Sequence, residues 1–204
     1  MAKIQEVDYE AMPAQAREMR EYGGQLNSEM TKAYSRVTDM HNSWYGIRYN
    51  ELVGDFNNLI PRINQMLELV VTRVPSTLET VANNYSQADK GVNVTAVSDE
   101  APNKISNLPI INDVGMKFIS ANVHNSQQEI STNFNNAKDL MNKIEGVYGR
   151  IKWQSEAAEA FRSKFTKLKG QIIAEFENIN TQFTKLMEQT QQDIEKAEKA
   201  NTVN

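Results

Sequence analysis

The sequence predicts an all-α chain: two helix-turn-helix hairpins packed as an elongated antiparallel four-helix bundle. Three observations carry this. Apolar residues recur at helical spacing through most of the 204 residues, glycine and proline number only nine and five, and the apolar stripes come in two copies at a constant offset. Gln, Asn, Glu, Lys, Ala and Met are plentiful, which favours helix over the short, turn-rich strands of a sandwich.

The first hairpin is expected over residues 1–90. Its opening stripe is Met12, Ala16, Met19, Gly23, Leu26, Met30, Tyr34, Val37 and His41, the spacing of one buried helix face. Pro13 suits a helix start, where its missing N–H has no partner to lose. Gly23-Gly24 is expected to interrupt this helix, and Gly23 lies on its apolar face, where a missing side chain permits close approach by a neighbour. Residues 41–52, HNSWYGIRYNEL, then read as a tight turn. From Leu52 the apolar positions are Leu52, Phe56, Leu59, Ile63, Leu67, Val70, Val74, Leu78, Val81 and Tyr85. Their steps of four, three and four make an eleven-residue period, about 3.67 residues per turn, which is close to a straight helix. Pro61 and Pro75 fall inside this stripe, and a mid-helix proline costs about 3 kcal/mol. A kinked helix is expected, with a true break best placed at Pro75, where Ser76-Thr77-Leu78-Glu79 has the form of a capping box.

Residues 91–118 lose helical periodicity and gain Gly, Pro, Ser and β-branched residues, which marks a linker. Within it VNVTAV is a candidate short strand, and NLPIIN a candidate to pack across the bundle end. The second hairpin, 119–204, opens with Val123, Ile130, Phe134, Ala137, Met141, Ile144, Tyr148 and Ile151. Adding 109 to the numbers of the first long stripe gives Phe161, Phe165, Leu168, Ile172, Phe176, Ile179, Phe183, Met187, Thr190 and Ile194, with one lapse at Thr190. The same offset carries Trp44 onto Trp153, the other of the two tryptophans. Internal duplication accounts for this. The final stretch, QTQQDIEKAEKANTVN, mixes both charge signs and is expected to be a solvated, fraying helix end.

Composition excludes several function classes. With 22 basic and 26 acidic residues and a net charge of −4, no basic stripe exists to neutralise a phosphate backbone, so nucleic acid is not an expected partner. The absence of cysteine removes disulfides, thiolate metal sites and cysteine nucleophiles. The N-terminus lacks the apolar core of a secretory signal, and no apolar run is long enough to span a bilayer. His41 and His124 belong to no metal-binding pair, and no nucleophile elbow or phosphate-cradling glycine loop occurs. A non-enzymatic protein with no catalytic residues, cofactor or metal is expected. The nine methionines read as core filling.

Trp44 and Gly46 form a Trp-x-Gly turn in the middle of a long helical hairpin whose second helix ends in Tyr85-Ser86-Gln87-Ala88-Asp89. This arrangement resembles the WXG, or ESAT-like, family of small substrates of bacterial type VII secretion. The resemblance implies hairpins that pair as antiparallel four-helix bundles, with Trp44 and Gly46 as the turn motif and Tyr85 and Asp89 as a Tyr-x-x-x-Asp export motif. It further implies synthesis in the cytoplasm, export without a cleavable signal peptide, a secretion ATPase or its receptor as partner, and action outside the cell through protein or membrane binding.

The second half departs from that pattern. Its turn reads Trp153-Gln154-Ser155, with serine where the family has glycine, and Ile194 to Glu198 replaces the tyrosine motif. The chain looks like two such hairpins fused, so that a pairing between subunits becomes intramolecular. Folded so, Tyr85 and Asp89 are expected to approach Trp153, and Trp44 to face Ile194 and Glu198. A homodimer would bring Tyr85 of one copy to Trp44 of the other, and a helical toxin is the other expected partner. Membrane contact has weak support, because the polar faces are mixed in charge. Tyr85 has a second reading, as the residue closing the apolar stripe, with Asp89 solvated. Two other functions stay open: a cytoplasmic adaptor that escorts a larger type VII toxin, and a helical spacer with no export role.

Overall fold

The structure, a computed structural model, describes residues 7–201. Its elements are α1 (Met12–Met40), β1 (Trp44–Tyr45), α2 (Ile47–Leu67), a π-helical segment (Glu68–Arg73), α3 (Val74–Lys90), β2 (Lys117–Phe118), α4 (Ser120–Arg150) and α5 (Glu156–Asn201). The all-α expectation holds, with only two residues in each strand. Among the described residues no helix is long and apolar enough to cross a membrane.

Cross-helix bonds set the directions. α1 runs antiparallel to α4, with Arg150 on Glu18 at 2.7 Å, Asn136 on Glu29 at 3.0 Å and Arg36 paired with Glu129. α2 runs antiparallel to α5, with Arg48 on Asp193 at 3.4 Å and Arg62 on Glu175 at 3.2 Å. One apolar cluster takes side chains from all these helices. Midway along it, Tyr34 of α1 meets Phe56 of α2 edge-on at 5.2 Å, Phe56 stacks on Phe134 of α4 at 5.8 Å, and Phe134 stacks on Phe176 of α5 at 4.1 Å. Each such pair contributes about 0.5–1.5 kcal/mol beyond the area it buries. The Tyr34 hydroxyl is satisfied by donating to the Phe56 carbonyl at 2.6 Å. The lapse in the second stripe, Thr190, is buried too, its hydroxyl donating to the Leu186 carbonyl at 2.8 Å.

The structure corrects two expectations about helix continuity, at Gly23-Gly24 and at Pro75. α1 is not interrupted at Gly23-Gly24. Gly23 does permit a close approach: a Cβ there would lie 2.6 Å from Val71 Cγ2 and 3.1 Å from Val70 Cγ2, whereas one at Gly24 would meet nothing within 4 Å. α2 continues through Pro61, and at Pro75 the chain widens into the six-residue π segment instead of breaking. Pro75 cannot donate to the carbonyl four residues back, and its ring crowds that group, so a wider turn relieves both problems. The capping box does not form. Ser76 and Thr77 donate their hydroxyls to the Thr72 and Arg73 carbonyls at 2.7 and 2.8 Å, and Glu79 pairs with Arg20 of α1. The extra residue of the π turn also rotates α3: Glu79, Ala82 and Ser86 are buried, Val81 is only partly buried against the core, and Tyr85 is exposed.

The linker is a strap that returns antiparallel along α3 and α2. Gly91 reverses the chain with φ 71°. VNVTAV does not pair as a strand. Its backbone at Val94 and Thr95 is gripped by the Asn83 side-chain amide at 2.9 to 3.1 Å. NLPIIN does not cross the bundle end but lies along α2, because Asn57 and Asn50 bind the backbone of Leu108 and Ile111. Between these points Glu79 accepts from the Ser98 amide at 2.9 Å, and Arg20 donates to the Ser98 carbonyl at 3.1 Å. Burial pushes the Glu79 carboxyl up, but the Arg20 guanidinium and the Ser98 amide outweigh it and hold the group below its ordinary value. The expected fraying end is helical as far as Asn201; residues 202–204 lie outside the described residues.

Two stability measurements follow from this packing. Gly23→Ala should destabilise the chain by about 1–3 kcal/mol through overpacking, and Gly24→Ala should stabilise it by about 0.5–1 kcal/mol through helix propensity; urea unfolding that gave both the same sign would contradict the close approach. The stability contributed by Glu79 is complete above the ordinary glutamate pKa, about 4.3, and is lost as pH falls through its lowered folded value. Glu79→Gln should therefore melt below wild type at pH 7, with the gap closing in acid.

Candidate functional site

The first turn is built around Trp44. Ser43 N–H donates to the Met40 carbonyl at 2.8 Å, ending α1, and β1 then pairs antiparallel with β2, Trp44 opposite Phe118 and Tyr45 opposite Lys117. The Ile119 amide extends the ladder to the Ser43 carbonyl at 2.8 Å. Trp44 is fully buried, stacked on Phe183 of α5 at 5.8 Å and edge-on to Phe118 and Tyr49. Burial pushes the Tyr49 hydroxyl up to about 12, so it stays protonated while donating to the Val37 carbonyl at 3.0 Å. Gly46 has φ 125° and ψ −171° and stands at the N-cap of α2, a backbone region essentially closed to other residues.

Trp44 faces Phe183, not Ile194 and Glu198. The indole turns inward to reach the core, and α5, 46 residues long, carries Ile194 about 16 Å further along its axis at 1.5 Å per residue. From Glu195 onward α5 is exposed. Beside the turn, Ile47 is 72% exposed, and Met116 and Ile119 are also exposed.

The second turn occupies residues 151–155. Trp153 is half-buried and lines a small apolar cavity with Val74, Leu78, Tyr148, Ile151 and Phe161. Val74 is the position that the offset of 109 carries onto Phe183, so the two indoles occupy corresponding places. Ser155 caps α5: its Oγ accepts from the Ala158 amide at 3.1 Å, and its carbonyl accepts from the Glu159 amide at 3.0 Å. Among the described residues no non-glycine residue has positive φ. This turn therefore needs a side-chain cap where the first needs backbone freedom, which explains serine in the glycine position.

Asp89 reaches the same end of the molecule as Trp153, with the N-terminal segment between them. The Asp8 amide donates to the Lys152 carbonyl at 3.1 Å, and the Tyr9 hydroxyl donates to the Asp89 carboxylate. Lys90 pairs with Glu10 and lies over the Tyr9 ring, 5.6 Å from its centroid. The bond to Asp89, with some burial, raises the Tyr9 pKa. Tyr85 does not close the apolar stripe; it is 37% exposed, and Ala82 and Ser86 fill the core face at its level. Trp44 and Gly46 stand at the start of the α2–α3 run, and Tyr85 and Asp89 at its end. Tyr9 was not singled out in the sequence, yet the offset of 109 carries it onto Phe118, the residue that packs on Trp44. Extending the duplication past the stripes would have found it.

Among the described residues no group of three or more His, Cys, Asp or Glu side chains is placed to hold a metal ion. No family model, curated protein or solved structure matches the chain.

The two turns should respond differently to the same kind of change. Gly46→Ala should cost about 1–3 kcal/mol of stability from backbone strain. Ser155→Ala should cost about 1 kcal/mol, and Ser155→Gly only a few tenths. Denaturant unfolding of the three variants checks this; tolerance of alanine at position 46 would remove the conformational argument for glycine.

Proposed function

We propose that this chain is a non-enzymatic substrate of a bacterial type VII secretion system. In this reading two WXG-like hairpins are fused into one elongated antiparallel four-helix bundle, which leaves the cell without a cleavable signal peptide and acts outside by binding protein. The observation that carries the reading is the first turn. Its tryptophan is buried and its glycine holds a conformation that glycine alone adopts readily, so Trp-x-Gly here is a structural unit and not a chance string. The antiparallel contacts of α1 with α4 and α2 with α5 support the bundle, with hairpin pairing inside one chain in place of a second subunit.

Tyr85 and Asp89 are the residues read by the secretion ATPase or its receptor. Four apart on a helix, they share a face, and both are exposed at its end. A receptor groove that accepted this face would displace Tyr9 from Asp89. The exposed Ile47, Met116 and Ile119 beside the first turn favour a second reading, in which the protein is an adaptor whose apolar end docks a helical domain of a larger toxin.

Because Tyr85 and Asp89 contribute little to the core, their replacement separates export from folding. Tyr85→Ala and Asp89→Ala should each lower the level in culture supernatant at least tenfold, with wild-type unfolding temperatures and normal amounts in the lysate. Supernatant levels that stayed unchanged in both variants, or in a strain lacking the secretion ATPase, would sink the substrate reading. A stoichiometric toxin co-purifying from lysate, with no free protein outside, would establish the adaptor instead.

A further inference from the structure

Three cations converge on one open cleft, and none of them is held by an acid. The cleft, about 490 Å³ in volume, brings together Arg73 of the π segment, Lys104 of the strap and Lys164 of α5. Among the described residues none of these three forms an ion pair, whereas Arg20, Arg36, Arg48, Arg62 and Arg150 each meet a carboxylate. Each of the three stands next in sequence to an anchored residue. Val74 beside Arg73 and Phe165 beside Lys164 are buried. Ile105 beside Lys104 is clasped by Asn64, whose side chain accepts from the Ile105 amide at 2.8 Å and donates to its carbonyl at 2.9 Å. The backbone that carries each cation is therefore fixed at the cleft by packing or by bonds that the cation itself does not make.

The π segment is what brings Arg73 into this group. Pro61, Asn64, Gln65 and Glu68 line the cleft at the i, i+3, i+4 and i+7 positions of one helix face. In an unbroken α-helix that face would pass next through Thr72, eleven residues after Pro61. The wider turn over Glu68–Arg73 delays it by one residue, and Arg73 takes the place. Thr72 turns to the strap instead, its hydroxyl donating to the Glu100 carbonyl at 2.7 Å. Three cations against the single carboxylate of Glu68 leave the cleft positive on a chain whose net charge is −4. A guanidinium presents paired donors that match a phosphate, and ammonium groups add charge without a fixed direction. A phosphate, with close to two charges and three or more acceptor oxygens, suits three such donors better than a carboxylate does. We infer that this cleft binds a phosphate group, free or on a small ester, with Arg73 as its paired donor and Lys104 and Lys164 neutralising its charge. All three side chains are exposed, so the attraction weakens as salt rises.

The test is a titration of the full, nitrogen-15-labelled chain with inorganic phosphate at low ionic strength, followed by amide chemical shifts, with chloride at matched ionic strength as the control. Saturable shifts are expected at residues 64–73, 104 and 164. Arg73→Gln should weaken binding at least tenfold, and Lys104→Gln and Lys164→Gln at least threefold each. Lys167→Gln, one turn along α5 and outside the lining, should leave it unchanged, and Glu68→Gln should tighten it by removing the opposing charge. Because the three cations are exposed, their variants should melt with the wild type. A second arm uses glycerol phosphate: affinity at least tenfold above that for inorganic phosphate assigns the site to an ester, and equal affinity assigns it to free phosphate, either result supporting the inference. Shifts that grow without saturating, that chloride reproduces, or that persist undiminished in Arg73→Gln or in the Lys104→Gln, Lys164→Gln double variant overturn it. None of these readouts involves export, so their failure leaves the secretion reading standing.

Discussion

The structure hangs on the line of rings that runs Tyr34, Phe56, Phe134, Phe176, one from each of α1, α2, α4 and α5. An elongated core has little depth, so each helix must keep its apolar stripe turned inward along its whole length. Side chains as large as these, fixed at 4.1 to 5.8 Å, set the rotation of each helix about its axis. The rest follows from that rotation. It places Gly23 against Val70 and Val71, where no side chain fits, and it leaves Asn50, Asn57 and Asn64 on the flank of α2, facing the strap.

The offset of 109 relates the two ends as variations on one pattern. In each half the segment ahead of the first helix lies across the turn of the other half: β2 against Trp44 and Tyr45, Asp8 against Lys152. The aromatic at that place is Phe118 in one case and Tyr9 in the other. A phenyl ring completes the buried cage around Trp44. The phenol at the other end donates its hydroxyl to Asp89, and Trp153 there is half-buried.

The stripes could be read from sequence because burial on a helix is periodic, and residues such as Met19, Phe134 and Ile172 lie where that period puts them. What escaped was not periodic. The π segment adds one residue, and Pro75 announces trouble without saying whether the helix will break or widen; only the widening turns Tyr85 outward. The partner of Trp44 depends on how far α5 slides past α2, which repeated stripes leave undetermined. The clasp was visible in principle, as asparagines every seven residues opposite apolar residues every three. Polar residues on a helix flank are ordinary, however, and nothing in the linker says which helix it lies along.

The strap also shows where ordering a linker is worth its entropy. Fixing a residue's backbone costs about 1–2 kcal/mol, and a chain returning along the α2–α3 run has many to fix. A bond in solvent contributes too little to offset that, so the order is concentrated where a bond and apolar burial coincide. Ile105, Leu108 and Ile111 meet both conditions: the amide clasp is shielded by the side chain that it helps to bury. At Ser98 the same end is reached by charge, the carboxylate of Glu79 being held between Arg20 and the strap with 4% of its side chain exposed. The strap is therefore a series of separate clasps joined by short exposed stretches.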